Sequence, residues 1–372
     1  MQVQRMEPAL WSVKHHPKEW DSFYGQDDAI TQLRGFISGG IIPNLILHGP
    51  PGTGKSAAIQ IFAKEILGDS LGSNFKILNI RELRTYSIAK AKRNIQALAK
   101  LDRSERTELD EYMSIVFREA KTSLKLKGRK RDPNKSQLLH QAINLFASTI
   151  TVTDELVKIL VLDEADALDR NMQQALRRTM EVYSDACRFV LITPTLAGWN
   201  PAIISRCLVV KFPTPSLTII ETLISDIASK EQVVIDERAV TAIARESFGD
   251  LRFAINLLQI SSSSSRSVSE DDIYAVSEKT ITRIVREMIS LAFDGKHVNA
   301  RKKLRSLLTY ENYAPGEVIL EIERDLLKRP MAHAQLSVIL DRVSEIDLRI
   351  TQAKNPFIHL TALLASIANL EV

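Results

Sequence analysis

Short apolar runs recur through the first 212 residues of the chain. They are LIL at 45–47, FKILNI at 75–80, KILVL at 158–162, RFVLIT at 188–193 and LVVKF at 208–212. Runs of this length predict strands that are buried on both faces. Segments with apolar residues three and four positions apart, which is the period of a helix, lie between them. Strands that alternate with helices predict a three-layer α/β domain with a largely parallel sheet over residues 1–212.

The pattern changes after residue 213. The sequence PTPS at 213–216 indicates a helix start near Leu217, and helical apolar periodicity then continues without strand-like runs. The serine run Ser261–Ser265 is typical of an exposed linker. We therefore expect two all-helical domains, at 213–278 and 279–372, after the α/β domain.

A glycine loop follows the first apolar run and precedes a helical segment. In this context the string GPPGTGKS matches the pattern G-x-x-x-x-G-K-[ST] of a phosphate-binding loop. Such a loop points backbone N–H groups at phosphate oxygens, a lysine reaches the β- and γ-phosphates, and a hydroxyl binds Mg²⁺. We expect an ATP–Mg²⁺ site here. The predicted binding residues are Gly49, Pro50, Pro51, Gly52, Thr53, Gly54, Lys55 and Ser56.

Two carboxylates follow the third apolar run. Asp163 and Glu164 lie at the predicted carboxyl end of a strand, where open parallel sheets bind ligands. Asp163 is predicted to help hold Mg²⁺, and Glu164 to orient and deprotonate a water molecule. A solvated acidic strand end is the alternative, and the letters DEAD also occur in helicases, which need a second domain for which this chain has no room.

Composition is that of an ordinary globular protein, with 45% hydrophobic and 25% charged residues. The two cysteines, Cys187 and Cys207, are too few for a disulfide framework or a zinc site. We find neither a signal-peptide pattern nor an apolar stretch long enough to span a membrane, so we expect an intracellular, soluble protein without membrane partners. It would lie in the cytoplasm or nucleoid of a prokaryote or in the nucleus of a eukaryote.

The positive charge is concentrated in one segment. Residues 81–135 carry 16 Lys or Arg and 8 Asp or Glu, a net charge of +8 in a chain whose total is +4. A basic helical segment of this kind can bind DNA phosphates without reading sequence. It can equally be a solvated helical hairpin that contacts nothing, or one that contacts a partner protein.

Five strings together resemble a known family. GPPGTGKS, LDEADAL, QALRRTMEVYS, SRC and GDLRFAINLLQ occur in the order and spacing of the small subunits of replication factor C, the AAA+ clamp loader. The resemblance implies an AAA+ P-loop ATPase domain at 1–212 with a basic helical insertion at about 81–135, a helical lid at 213–278, and an all-α collar domain at 279–372 that joins subunits.

The resemblance also assigns roles and partners. Arg206 of SRC resembles an arginine finger offered in trans to the ATP of a neighbouring subunit, and Arg252 resembles the sensor arginine of the lid. Arg177 and Arg178 would serve as local ion-pair partners or at a subunit interface. The implied partners are other clamp-loader subunits in a hetero-pentamer, the sliding clamp, and the backbone of primer-template DNA. The implied activity is ATP-dependent opening of the clamp and its placement on DNA during replication.

This chain departs from the family pattern at three places. Where the family has an Asn that positions the hydrolytic water, this chain has Pro194, so that role is lost or passes to Thr193 or Thr195. His16 stands where an arginine is usual near the adenine, and the family's SDERGI stretch is absent as such. Two alternatives remain open: a scaffold subunit that binds ATP but hydrolyses it weakly, and another AAA+ machine, such as a junction motor or a helicase loader.

Overall fold

The computed structural model describes residues 10–89, 107–126, 128–129, 131–149, 157–263, 266–277, 280–309, 311, 313–353 and 355–368. The chain forms two units, Met1–Glu270 and Asp271–Val372. The boundaries of the three predicted domains, 1–212, 213–278 and 279–372, stay a prediction. Residues 90–106, 127 and 130 of the predicted basic insertion lie outside the described residues.

A five-stranded sheet forms the centre of the first unit, and its strands coincide with the five apolar runs. The strands are β1 Leu45–His48, β2 Phe75–Asn79, β3 Lys158–Asp163, β4 Cys187–Thr193 and β5 Leu208–Lys211. They lie in the order β2-β3-β4-β1-β5, and every neighbouring pair is parallel. The predicted parallel α/β fold is therefore confirmed.

Register brings the functional strand ends together. His48 at the end of β1 lies opposite Thr193 at the end of β4, and Asn79 at the end of β2 lies opposite Asp163 at the end of β3. Because all strands run in one direction, the phosphate loop after β1 and the carboxylates after β3 leave the sheet at the same edge.

Each face of the sheet packs against its own hydrophobic core. Leu45, Leu47 and Val161 point to a core that includes Ile59 and Phe62 of the helix after the phosphate loop. Strand residues one position away, among them Ile46, Leu160 and Leu162, point to the opposite core. A strand buried on both faces carries no polar alternation, which explains why its sequence is continuously apolar.

The helices of the first unit begin mostly at polar capping residues. Side chains of Asn79, Asn134, Asp169, Ser216 and Asp250 each accept a hydrogen bond from a backbone N–H in the first turn of the helix that follows. The helices are α1 Trp11–Lys14, α2 Asp27–Ser38, α3 Lys55–Leu67, α4 Leu71–Asn74, α5 Ile80–Thr85, α6 Glu108–Leu126, α7 Lys135–Ser148, α8 Arg170–Val182, α9 Pro201–Ile204, α10 Leu217–Lys230, α11 Glu237–Glu246 and α12 Leu251–Ser261. Helix α13, Glu270–Ser277, begins at the boundary between the units.

Helix α6 lies within the predicted basic insertion and is part of the core. Met113, Val116 and Phe117 are each at most 1% exposed and join the cluster beneath β3 and β4. The Tyr112 hydroxyl donates a hydrogen bond of 2.5 Å to the carbonyl of Ala142 in α7. The alternative of a solvated hairpin that contacts nothing is therefore wrong for α6, because its apolar face is covered.

The lid region differs from the sequence prediction in two details. Val234–Ile235 (β6) and Ser267–Val268 (β7) form a short parallel pair, so the region 213–278 is not purely helical as predicted. Two-residue strands are too short to show an alternating pattern. Ser261 is only 6% exposed at the end of α12, so the predicted exposed linker is wrong at this residue, while Ser264 and Ser265 lie outside the described residues.

Five helices follow α13 in the described part of the second unit, which agrees with the predicted all-α C-terminal region. They are α14 Thr280–Phe293, α15 His297–Thr309, α16 Pro315–Lys328, α17 His333–Gln352 and α18 Pro356–Ala368. Their apolar faces enclose a separate core. Across the described ranges of the chain, no helix is both long and apolar enough to cross a bilayer.

Candidate functional site

The phosphate loop connects β1 to α3 with a tight backbone path. A side chain on Gly49 would collide with the carbonyl oxygen of Phe212, and Gly52 has a φ of +72°, a conformation that favours glycine. The loop N–H of Gly49 donates to the carbonyl of Thr193 at 3.2 Å, which attaches the loop to the end of β4. The loop predicted from sequence is thus held at the carboxyl edge of the sheet.

Lys55 is folded onto the loop that carries it. Its side chain is 8% exposed, and Nζ donates to the carbonyls of Gly49 at 2.8 Å and Pro50 at 2.5 Å. Burial lowers the pKa of Lys55 to about 8, while the nearby charges of Asp163 and Asp250 act in the opposite direction. Because these partners are neutral carbonyls, the lysine can exchange them for charged phosphate oxygens, which form stronger hydrogen bonds with a cation.

Ser56 and Asp163 provide oxygen atoms suited to Mg²⁺. Ser56 Oγ lies 3.3 Å from Asp163 Oδ2, although the two residues are 107 positions apart. A hydroxyl and a carboxylate beside a phosphate loop match the hard oxygen ligands that Mg²⁺ prefers. The residues present therefore fit the metal predicted from the sequence.

Glu164 is held in a constrained position at the same edge. Its backbone has a φ of +50°, which is uncommon for a residue with a side chain and recurs at functional sites. Its carboxylate lies 3.4 Å from Nε of Arg81, whose Nη2 also contacts Asp166 at 2.6 Å. Arg81 was not predicted from the sequence. Its position two residues after β2, the strand beside β3, is the signal that could have identified it.

At the position where the family pattern has an asparagine this chain has a proline, and the preceding residue, Thr193, lines the cleft. Pro194 lines the cleft. The Thr193 hydroxyl donates to the carbonyl of Thr195 at 2.8 Å and accepts from the indole N–H of Trp199 at 3.3 Å. The Thr195 hydroxyl accepts from the N–H of Ala197 at 3.1 Å. Both threonine hydroxyls are therefore engaged within their own loop.

Arg206 belongs to a charged cluster elsewhere on the first unit. Its Nη2 lies 2.6 Å from Oε1 of Glu181, and Nε of Arg177 contacts the same oxygen at 3.1 Å. The hydrogen bond from Arg177 and the charge of Arg206 lower the pKa of Glu181. Arg206 is not among the described residues that line the phosphate-loop cleft. An arginine that serves the nucleotide of a neighbouring subunit does not have to line the cleft of its own chain. Glu181 was not identified from the sequence as its partner.

The cleft around the phosphate loop has a volume of about 390 Å³. The predicted residues Asp163, Glu164 and Arg252 line it together with the loop, and the positive charge of Arg252 contributes to the lowered pKa of Lys55. The Pro50 carbonyl accepts a hydrogen bond from Lys55, but Pro50, which was predicted to bind nucleotide, is not among the described residues that line the cleft.

The N-terminal segment and the lid complete the cleft walls. His16 and Tyr24 line it from one side, and Leu223 and Ile255 from the lid. The Tyr24 hydroxyl donates to Asp226 Oδ2 at 2.6 Å, and burial together with this carboxylate raises the pKa of Tyr24 to about 12. This hydrogen bond attaches helix α10 of the lid to the N-terminal segment.

Comparison with known proteins identifies the family. A model of the AAA ATPase domain matches residues 22–192, and one of the replication factor C C-terminal domain matches residues 276–366. The replication factor C small subunit of Thermofilum pendens is 31% identical over 367 residues, 98% of this chain and 97% of that protein. This chain belongs to the replication factor C small-subunit family. The small subunit of Archaeoglobus fulgidus is 29% identical over 97% of this chain and 98% of its own length.

Replication factor C membership agrees with the fold, because the two matched ranges contain the phosphate loop and the C-terminal helices. Among solved structures, the Holliday junction branch migration motor RuvB of Thermotoga maritima is 17% identical, with a TM-score of 0.44, over 81% of this chain and 82% of that one. A TM-score and a sequence identity this low support no conclusion about function or assembly.

Proposed function

We propose that this chain is a subunit of an ATP-dependent clamp loader that opens a sliding clamp and places it on primer-template DNA. The observation that carries the proposal is the match, along nearly the whole of both chains, with proteins named replication factor C small subunit. The match to the replication factor C C-terminal domain supports a role in an assembly with other loader subunits. Contacts with the clamp and with the DNA backbone follow from the family and are part of the proposal.

ATP is proposed to bind in the cleft around Gly49–Ser56. Lys55 would release the carbonyls of Gly49 and Pro50 and donate to phosphate oxygens. Ser56 and Asp163 would hold Mg²⁺, which neutralises phosphate charge when it is bound. Arg252 would contact phosphate from the lid side, so that lid position and nucleotide state are coupled.

Hydrolysis is proposed to depend on Glu164 of this chain and on an arginine from a neighbour. Glu164 would accept a proton from water once its carboxylate leaves Arg81, which lies 3.4 Å away. Arg206 would serve the nucleotide of the next subunit, where a guanidinium offsets charge that develops on the transferred phosphoryl group. Because Arg206 is bound to Glu181, this contact would have to open for the arginine to reach across.

A second candidate is a loader subunit that binds ATP but hydrolyses it weakly. Pro194 favours this version, because the hydroxyls of Thr193 and Thr195 are already engaged in the loop. Single-turnover hydrolysis at this site alone, with partner sites disabled, separates the two versions. If Pro194→Asn raises that rate while Thr195→Ser leaves it unchanged, the missing side-chain amide limits turnover; equal rates would contradict this explanation.

The assembly itself is tested by native mass spectrometry of the complex recovered with a tagged copy of the chain, in ATP and Mg²⁺. We expect a five-subunit assembly with a larger AAA+ partner. A homohexamer, which would fit the junction motors and helicase loaders considered above, would overturn the proposal. A Lys55→Ala variant that still assembles but no longer retains ATP would assign nucleotide binding to this cleft.

A further inference from the structure

Asp250 carries a negative charge to the phosphate loop. This residue precedes helix α12 of the lid, and its carboxylate lies directly against Gly52, so that a side chain on Gly52 would collide with Oδ1 and Cγ of Asp250. The turn before it is constrained: Phe248 has a φ of +49°, and a side chain on Gly249 would collide with Thr214. The carboxylate is therefore fixed on the loop by the backbone that leads to it.

The carboxylate of Asp250 also acts on the positive charge of Lys55. Asp250 is close enough to Lys55 to raise its pKa against the effect of burial. Glycine loops of this kind cradle phosphate oxygens with backbone N–H groups, so a bound phosphate chain brings several negative charges to the vicinity of Asp250. Like charges at such separations repel each other even in a medium of high effective dielectric.

A purely structural role does not require the charge. Asp250 Oδ1 accepts a hydrogen bond of 2.9 Å from the N–H of Phe253 and so caps α12. Asparagine and serine cap helices about as well as aspartate. The charge also interacts favourably with the helix dipole, but the cap does not need it. What the aspartate adds beyond a neutral cap is a negative charge in contact with the phosphate loop.

We propose that Asp250 is a specificity residue that competes with nucleotide phosphates on the loop, so that it weakens nucleotide binding and does so in proportion to phosphate charge. This inference rests on the nucleotide site proposed above. The lid then carries two opposite charges: Asp250, which repels phosphate, and Arg252, two residues further along, which attracts it. The nucleotide must displace or outweigh this carboxylate, which keeps binding reversible and sensitive to the number of phosphates.

The test is Asp250→Asn in the full chain, with MgATP and MgADP affinities measured by titration calorimetry at a pH well below 8, so that Lys55 keeps its proton even without the charge of Asp250. Asparagine keeps the cap and the side-chain shape and removes only the charge. We expect affinity for ATP to rise about tenfold and affinity for ADP to rise less, by about threefold, because a single charge removed near the phosphates weakens a repulsion that grows with phosphate charge. Asp250→Ser, which also caps, should show the same direction if the asparagine variant folds poorly.

Asp236→Asn is the matched control. Asp236 caps lid helix α11 through a 2.5 Å hydrogen bond from the N–H of Ala239. Unlike Asp250, it is not among the atoms nearest to Gly52 or the charges that shift the pKa of Lys55. This variant should leave both affinities unchanged. Equal affinities for wild type and Asp250→Asn, or an equal gain for ATP and ADP, would overturn the inference while leaving the site itself intact. If the unaltered chain binds no nucleotide, or Lys55→Ala binds as well as it does, the proposed site fails instead.

Discussion

Replacing Phe117 by alanine tests whether α6 is a structural part of the ATPase core. The ring is 1% exposed and packs in the cluster that covers one face of the sheet. Phe→Ala substitutions at such positions cost about 3–5 kcal/mol, from lost transfer free energy and the cavity left behind. This is a large share of the roughly 5–15 kcal/mol by which domains are stable.

Urea unfolding followed by circular dichroism measures the effect. With a denaturant dependence of about 2–3 kcal/mol per molar, the midpoint of the first unit should fall by about 1–2 M. Ile115→Ala on the same helix is the control, because Ile115 is 44% exposed and its removal should change stability by about 0.5 kcal/mol or less. Equal midpoints for the two variants would refute the reasoning, since α6 would then not be packed through Phe117.

Three further predictions concern the site. Because burial places the Lys55 pKa at about 8 in the nucleotide-free chain, below its value of 10.5 when unfolded, the lysine loses its proton as pH rises through about 8. ATP affinity should then fall by up to about tenfold per pH unit, with uptake of a proton on binding that calorimetry in two buffers detects. Absence of proton uptake at about pH 9 would contradict this. Glu181→Gln should free Arg206 and raise single-turnover hydrolysis at the neighbouring subunit's site severalfold; an unchanged or lower rate would mean that Glu181 positions the arginine rather than restrains it. Arg81→Ala should raise ATP hydrolysis in the absence of DNA by releasing Glu164, and the gain should vanish in the double variant with Glu164→Gln; a gain that persists there would exclude Glu164 as the group that Arg81 restrains.

Local sequence determined the elements that carry the chemistry. Strands buried on both faces must be continuously apolar, so the inner strands β1, β3 and β4 were visible as apolar runs. The edge strands β2 and β5 were visible in the same way, although they are only partly buried. The phosphate loop was visible because its backbone path needs glycine at fixed positions, as Gly49 and Gly52 illustrate. Helix starts were visible at PTPS because a capping side chain acts within three residues of its own position.

Only the tertiary structure decided how these elements act on one another. Arg81 meets Glu164, Glu181 meets Arg206, and Asp250 meets Gly52 across separations that no local pattern encodes. From the sequence, segment 81–135 was expected to be a basic helical insertion, because its positive charge stands out. The structure shows that the apolar side of α6, within this segment, is buried in the core. Periodicity reports which side of an element is apolar, but the partner of each charge depends on strand order, register and lid position, which are properties of the folded chain as a whole.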